Sequence, residues 1–313
     1  MTQEKQKPLY YYLSPINWHI WLAFLILRLN SFLPLDTQIK NGKFIGRIGH
    51  KLLKKRRAIT RRNINLAFPN FSKKERDQLT LEHFEAIGAS FSELGLSRWG
   101  SRNTLIKNST WEGKEYLQEA IESKRGIILL SAHFTTLEIS GRILNYGFPE
   151  FNVVYRKNRN EFINEILQSS RKRYARKAIE KRDIKSMIRT LRNGGTVWYA
   201  PDQSYNRKQS EVIPFFSIPA MTNTATSKIA KLGKALILPF FPRRLASGKY
   251  VLTFKPLIKD FPSNDTVRDT KRYVEILEKQ IRLCPEQYYW IHRKYKNLPK
   301  NYENYYANLE EWM

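Results

Sequence analysis

The chain has 313 residues, and its 55 Lys and Arg against 28 Asp and Glu leave a formal charge of +27. That length supports a sizeable core, and a charge of this size calls for an anionic partner: nucleic acid, anionic lipid or an acidic protein. A single cysteine, Cys284, excludes a disulfide framework and any cysteine-rich zinc or iron–sulfur site, and fits a reducing, cytoplasm-facing location. Aromatic residues make up 13% of the chain, and aromatic and basic side chains together suit a membrane interface.

In chain order the first element is the apolar run "INWHIWLAFLIL", Ile16 to Leu27, which "RLNSFLPL" extends to Leu35. A full crossing needs about 20 mostly apolar residues, and the run reaches that length only by including Arg28, Asn30 and Ser31. Tyr10, Tyr11, Tyr12, Trp18 and Trp21 crowd its leading end, as headgroup-level anchors do. The expectation is an N-terminal membrane-anchoring helix, with a buried core helix as the alternative. The run ends without a small-residue cleavage site. The basic series Lys40, Lys43, Arg47, Lys51, Lys54, Lys55, Arg56, Arg57, Arg61 and Arg62 then places the body of the protein on the cytoplasmic side. The division expected is a tail and anchor over 1–39, one catalytic-sized domain over 40–300 and a C-terminal tail over 301–313.

Beyond the anchor, short apolar runs alternate with helical patterns. Strands are predicted at Gly126–Ala132, Asn152–Arg156, Thr196–Ala200, Ala235–Phe241 and Tyr250–Leu257. Helices are predicted at Ser72–Leu96, Glu161–Arg176, Asp183–Arg192, Thr222–Leu232 and Thr266–Leu283, where apolar residues recur at three and four. Asp183 and Thr222 can cap their helices and Gly233 can end one. The alternation implies an α/β sheet with helices on its faces.

Ligand sites in such sheets lie beyond the carboxyl ends of strands, and "GIILLSAHFTTLEIS", Gly126 to Ser140, puts His133 there. A spacing of five sets His133 and Glu138 about 140° apart within one helix. With His133 in the turn and Glu138 in the first turns of the next helix, the carboxylate can instead fold back to the imidazole. Such a contact fixes the tautomer and makes the other ring nitrogen a better base, the orienting logic of catalytic triads without the serine. The same spacing also fits a satisfied histidine beside a solvent-facing glutamate. Other predicted strand ends carry polar groups: Arg156 and Arg159, able to hold phosphate or stabilise an oxyanion, then Asp202 and Gln203, then Arg243 and Arg244. Each alone fits a solvated loop, but four polar tips after four apolar strands point to one site.

Together "RRNINLAFPN" with its Asn65 and Phe68, "HFTTLE", "VVYRKNRN", "WYAPDQSY", "PFFPRR" and "PEQYYWIHRKYK" resemble, in order and approximate spacing, the late acyltransferases of lipid A biosynthesis. These are the lauroyl, myristoyl and palmitoleoyl transferases of the lysophospholipid acyltransferase superfamily, and the likeness runs from about Trp18 to Lys296. The resemblance implies a mixed sheet flanked by helices, as in glycerolipid acyltransferases. It implies transfer of a fatty acyl chain from acyl carrier protein to a hydroxyl of a 3-hydroxyacyl chain on Kdo2-lipid IVA, at the cytoplasmic leaflet of a Gram-negative inner membrane. Carried over, His133 is the general base and Glu138 its orienting partner. Arg156, Arg159, Asp202, Gln203 and Arg243 are expected at the substrates. Glu in place of Asp in H-x4-[D/E] is similar to the lauroyl branch. No metal or cofactor is implied. The expected partners are acyl carrier protein, the Kdo2-lipid A precursor and anionic membrane lipids, and nucleic acid is not among them.

A glycerolipid or phosphatidylinositol mannoside acyltransferase with the same pair is the alternative within enzymes, and "PEQYYWIHRKYK" favours the lipid A branch. A membrane-tethered nucleic-acid-binding protein would use clusters such as "KLLKKRRAITRR", but no reader motif accompanies them. The chain lacks G-x4-G-K-[ST], G-x-G-x-x-G and G-x-S-x-G, the signatures of nucleotide hydrolysis, dinucleotide binding and serine esterases.

Overall fold

The structure, a computed structural model, describes residues 8–206 and 208–313. Its N-terminal third is helical, with α1 (Trp18–Asn30), α2 (Leu35–Leu52), α3 (Lys54–Ala67) and α4 (Lys73–Trp99) in succession. α4 opens on a capping box, in which the Ser72 hydroxyl accepts from Glu75 N while the Glu75 carboxylate accepts from Ser72 N at 2.7 Å.

The expected N-terminal membrane-anchoring helix is too short to cross a membrane. α1 has 13 residues, about 20 Å at 1.5 Å each, against about 30 Å of hydrocarbon. The apolar run is broken at residues 31–34, where the chain turns into α2, and among the described residues no helix is long and apolar enough to cross a membrane. α2 instead lies on α4 with its glycines inward. A Cβ on Gly46 would stand 2.1 Å from the Phe84 carbonyl oxygen, and one on Gly88 would stand 2.1 Å from that of Gly42. Glycine alone permits that approach. With small residues inside, α2 turns Phe44, Ile45, Ile48 and Leu52 outward, the reverse of an ordinary soluble amphipathic helix. Leu22, Leu25, Ile26 and Leu29 of α1 are exposed as well.

The remaining elements are α5 (Arg102–Lys107), β1 (Ser109–Glu112), α6 (Lys114–Glu122), β2 (Ile127–Leu130), α7 (Leu137–Gly147), β3 (Phe151–Tyr155), α8 (Glu161–Arg171), β4 (Lys177–Glu180), α9 (Ile184–Arg192), β5 (Thr196–Tyr199), the hairpin β6 (Ser210–Phe215) and β7 (Ile218–Asn223), α10 (Ala225–Gly233), β8 (Leu236–Arg244), β9 (Tyr250–Phe254) and α11 (Thr266–Leu283). The main sheet has seven strands in the order β1-β9-β8-β2-β5-β3-β4. It is mixed: β9 is antiparallel to β8, and the other pairings are parallel. Alternate residues serve two cores. Ile128, Leu130, Val197 and Ile237 pack towards α3, α9, α10 and α11, whereas Ile127, Leu129, Trp198 and Leu238 pack towards α5, α6 and α7. Burial on both faces explains the continuous apolar runs of the parallel strands.

All five predicted strands are present. The helix predicted over Thr222–Leu232 begins at Ala225, because Thr222 and Asn223 pair in β7. The one predicted over Glu161–Arg176 stops at Arg171. After α11 the chain returns across the end of the sheet. There Thr135 N donates to Gln287 O at 2.9 Å and Tyr289 N donates to His133 O at 3.1 Å. Asn63 Nδ2 of α3 donates to Trp290 O and His292 O, both at 2.6 Å, and Asn63 Oδ1 accepts from Tyr306 OH at 2.5 Å. The last residues lie along α3, with Arg57 donating to Met313 O at 2.8 Å.

Candidate active site

β2 and β5 are parallel neighbours whose register ends on the pair Leu130 and Tyr199. The ladder continues one step, with Ser131 N donating to Tyr199 O at 2.9 Å. His133 and Asp202 each stand three residues beyond that pair, so the register brings them opposite one another. His133 Nδ1 meets Asp202 Oδ1 at 2.6 Å, with the imidazole 36% exposed and the carboxylate 1% exposed. Nε2 makes no hydrogen bond among the described residues.

The environment keeps Asp202 charged. Burial pushes its carboxyl up, but the His133 ring and the Lys294 ammonium outweigh this and hold it below its usual range. Burial pulls the His133 imidazole down, and the Asp202 charge and hydrogen bond reverse this, leaving it above 6.5. Lys294 is buried, donates to the Asp202 carbonyl at 2.6 Å and lies 4.4 Å from the Phe215 ring centre. Burial brings it down to about 8 although Asp202 and Glu278 favour its charge. Burial and then the Asp202 charge raise the Tyr288 phenol well above its usual value, so it stays a donor beside that carboxylate. Lys294 and Tyr288 both lie in "PEQYYWIHRKYK", where a buried lysine among aromatic residues was the available signal.

Glu138 is not the hydrogen-bond partner of His133. Its carboxylate accepts from Arg171 Nε at 3.1 Å, from Arg171 Nη2 and from Tyr174 OH at 2.7 Å. α7 begins only at Leu137, so His133 stands in the preceding turn, and Glu138 in the first turn of α7 is drawn to Arg171 at the end of α8 and to Tyr174. Burial pushes Glu138 up, but the Arg171 charge and bonds bring it below its usual value. The pair ties α7 to the end of α8, with both side chains 17% exposed.

The other expected residues separate. Gln203 lines, with Asp202 and Tyr288, a groove of about 480 Å³ beside His133. Arg156 and Arg159 are exposed in the loop after β3. Arg243 and Arg244 do not follow a strand but belong to β8, whose antiparallel pairing with β9 extends to Arg244. Arg243 donates to Glu112 at 2.8 Å, and Arg244 forms a buried ion pair with Glu93.

The geometry presents an imidazole oriented by a buried carboxylate. The sequence profile of the bacterial lipid A biosynthesis acyltransferases matches residues 5–297. The chain is 33% identical over 297 residues to the lipid A biosynthesis lauroyltransferase of Escherichia coli K12, covering 94% of this chain and 96% of that protein. It is 32% identical over 294 residues to a lipid A biosynthesis acyltransferase of Haemophilus influenzae, covering 92% and 94%. It is 30% identical over 291 residues to the E. coli palmitoleoyltransferase, again covering 92% and 94%. With similarity of this breadth, the chain belongs to the bacterial lipid A biosynthesis acyltransferase family and is an acyl-transferring enzyme.

Proposed function

We propose that this enzyme transfers a laurate-type acyl chain from acyl carrier protein to a hydroxyl of a 3-hydroxyacyl chain on Kdo2-lipid IVA, with His133 as general base and Asp202 orienting it. The observation that carries the reading is the 2.6 Å contact between Nδ1 and the buried carboxylate of Asp202, a residue that also lines the groove. Nε2 takes the hydroxyl proton as the oxygen attacks the thioester carbonyl. The tetrahedral intermediate collapses, the C–S bond breaks, and the imidazolium returns its proton to the leaving sulfur. No covalent enzyme intermediate is needed. Glu138 holds Arg171 and Tyr174 and thereby the turn that carries His133. The greater identity to the lauroyl relative, 33% against 24% for the E. coli myristoyltransferase, favours the laurate type.

The reaction belongs at the cytoplasmic face of the inner membrane. Support comes from the outward Phe44, Ile45, Ile48 and Leu52 of α2 and the exposed leucines of α1, bordered by exposed Lys40, Lys51 and Lys54. Apolar side chains beside lysines fit a helix pair lying in an anionic lipid surface rather than through it. Flotation with anionic vesicles should carry the enzyme up, and Ile45→Glu with Ile48→Glu should leave it at the bottom.

The chemistry is tested with His133→Ala and an acyl carrier protein thioester, the product being read by mass spectrometry. Loss of about 10²–10⁴ in rate is expected, with an unchanged melting curve. A rate within about threefold of wild type removes His133 from the role of base, since a base contributes far more.

A further inference from the structure

The β2–β5 ladder ends at Ser131, and beyond it the turn that carries His133 is held by the returning segment. Tyr289 N donates to His133 O, Thr135 N donates to Gln287 O, and Phe134 bridges Tyr288 in antiparallel fashion. The Gln287 side chain is buried against β8, where its amide brackets the backbone of one residue. Oε1 accepts from Arg244 N at 2.7 Å, and Nε2 donates to Arg244 O at 2.8 Å as well as to Glu286 at 2.5 Å. The Arg244 side chain runs on to Glu93 of α4 in an ion pair whose guanidinium and carboxylate are 5% and 1% exposed. α4 reaches the segment a second time through His83, whose Nδ1 lies 3.0 Å from Glu286 O. A carbonyl only accepts, so Nδ1 carries the proton, and burial keeps that imidazole neutral with a pKa of about 4. Replacing a buried ion pair by packed apolar side chains often costs no stability. What this pair supplies is a fixed point on β8, to which Gln287 and then the His133 turn are tied.

We infer that Gln287 is a positioning residue for His133, braced through Arg244 by Glu93 of α4, and that it sets the imidazole against Asp202 without touching substrate. The inference rests on His133 being the base. Asp202 arrives on the β5 tip, whereas the backbone of His133 is placed by a segment from the far end of the chain. A reacting group displaced by about 1 Å can lose about 10²-fold in rate, and the 2.6 Å contact to Asp202 would lengthen with it. Burial, Arg171 and Lys181 pull the His133 pKa down, and the Asp202 charge and hydrogen bond push it up by more. The pKa of the ring therefore reports how closely Asp202 holds it.

Gln287→Met removes both bonds to Arg244 at nearly constant volume. Turnover is measured together with an NMR titration of the histidine rings, the His133 signal being the one that His133→Ala lacks. In Gln287→Met kcat should fall about tenfold to a hundredfold while both KM values hold within about twofold, and the His133 pKa should move down. Asn152→Leu is the control. Its buried amide donates to Thr196 O at 2.9 Å, at the opposite end of β5 from Asp202, so its loss should lower the melting temperature and leave kcat and the His133 pKa in place. Changing the pair together, Glu93→Gln with Arg244→Gln, strands neither charge and should move kcat and pKa in the same direction, by less. Added to Gln287→Met it should move them no further, as groups acting in series do. Should Gln287→Met not fold, Gln287→Asn, which keeps the amide on a shorter stem, carries the same expectations. A melting loss with kcat and pKa unchanged in the Gln287 variant, or equal changes in Asn152→Leu, means general support of the fold and overturns the inference. An additive effect of the pair exchange overturns the brace through Arg244 and Glu93. If His133→Ala proves fully active while Gln287→Met still lowers the His133 pKa, the base reading falls and the positioning stands.

Discussion

Asp202 and Glu138 flank the same histidine from two regions of the molecule and do different work. Asp202, on the β5 side, is buried, holds Nδ1 at 2.6 Å and is itself fixed through its carbonyl by Lys294. Glu138, on the α7 side, points its carboxylate away, to Arg171 and Tyr174. The β5 side sets the tautomer and basicity of the ring, whereas the α7 side fixes where the turn stands. A hydrogen bond to the base acts on the rate; a clamp on its support acts on stability first.

The strongest way to break that contrast is Asp202→Asn. An amide loses the charge that stabilises the imidazolium and can hold the wrong tautomer, so kcat should fall by about 10²–10⁴. The pH profile adds a signature. As the proposed base, His133 must be neutral to act, and its pKa stands above 6.5, so wild-type kcat/KM should fall as pH drops through a value above 6.5. Asp202→Asn removes the contribution that raises this pKa and leaves burial, which lowers it, so the acid limb should move to lower pH. A limb that stays in place means that His133 does not report Asp202.

Glu138→Gln should show the opposite balance. It leaves the Arg171 guanidinium without its counter-charge at a site only 17% exposed, a loss on the order of 3 kcal/mol where such pairs are buried and less where water reaches them. Thermal melting should fall while kcat at a permissive temperature drops less than about tenfold, since the base keeps its partner. Adding Arg171→Gln should recover part of the lost stability, because the stranded charge is gone. The Glu138 carboxyl is held below its ordinary 4.5. Its contribution is therefore complete above that pH and is lost as pH falls through the depressed value. Melting curves should separate wild type from variant at pH 7, and the gap should narrow progressively as pH is lowered below 4.5. A kcat loss as deep as that of Asp202→Asn, with unchanged melting, would restore Glu138 as the orienting group.

The sequence made His133 legible because a polar residue at the end of a buried apolar run has little other use. It also marked Asp202 as a strand tip. It could not pair them, since 69 residues separate them and their meeting depends on β2 and β5 being sheet neighbours. β1, "STWE", and β4, "KAIE", escaped detection because four residues at a sheet edge carry too few apolar positions to show a period. Arg243 and Arg244 were misplaced because the predicted strand stopped at Phe241, short of Pro242, a residue type that seldom continues a strand. Its position in β8, opposite Leu252 of β9, shows the strand continuing through it. The outward apolar face of α2 was hidden by glycines that look like helix breakers and are the close-packed side.

The smallest expected effect concerns the next tip along the sheet. Arg156 is exposed in the loop after β3, and among the described residues no ion pair holds it. A solvated charge of that kind acts on encounter with an acidic donor, over a screening length of about 8–10 Å at 0.1–0.15 M salt. Arg156→Ala should therefore lower kcat/KM by less than about threefold at low ionic strength, as rim charges do, and by nothing measurable at high salt. Arg159→Ala should match it, and kcat should hold in both. The comparison with Asp202 is sharpest in a salt series: the Asp202→Asn defect should be the same at every ionic strength, because a buried pair is little screened. If Arg156→Ala instead costs kcat at all salt concentrations, donor binding desolvates its guanidinium against the reacting groups, and the β3 tip joins β2 and β5 in the chemistry.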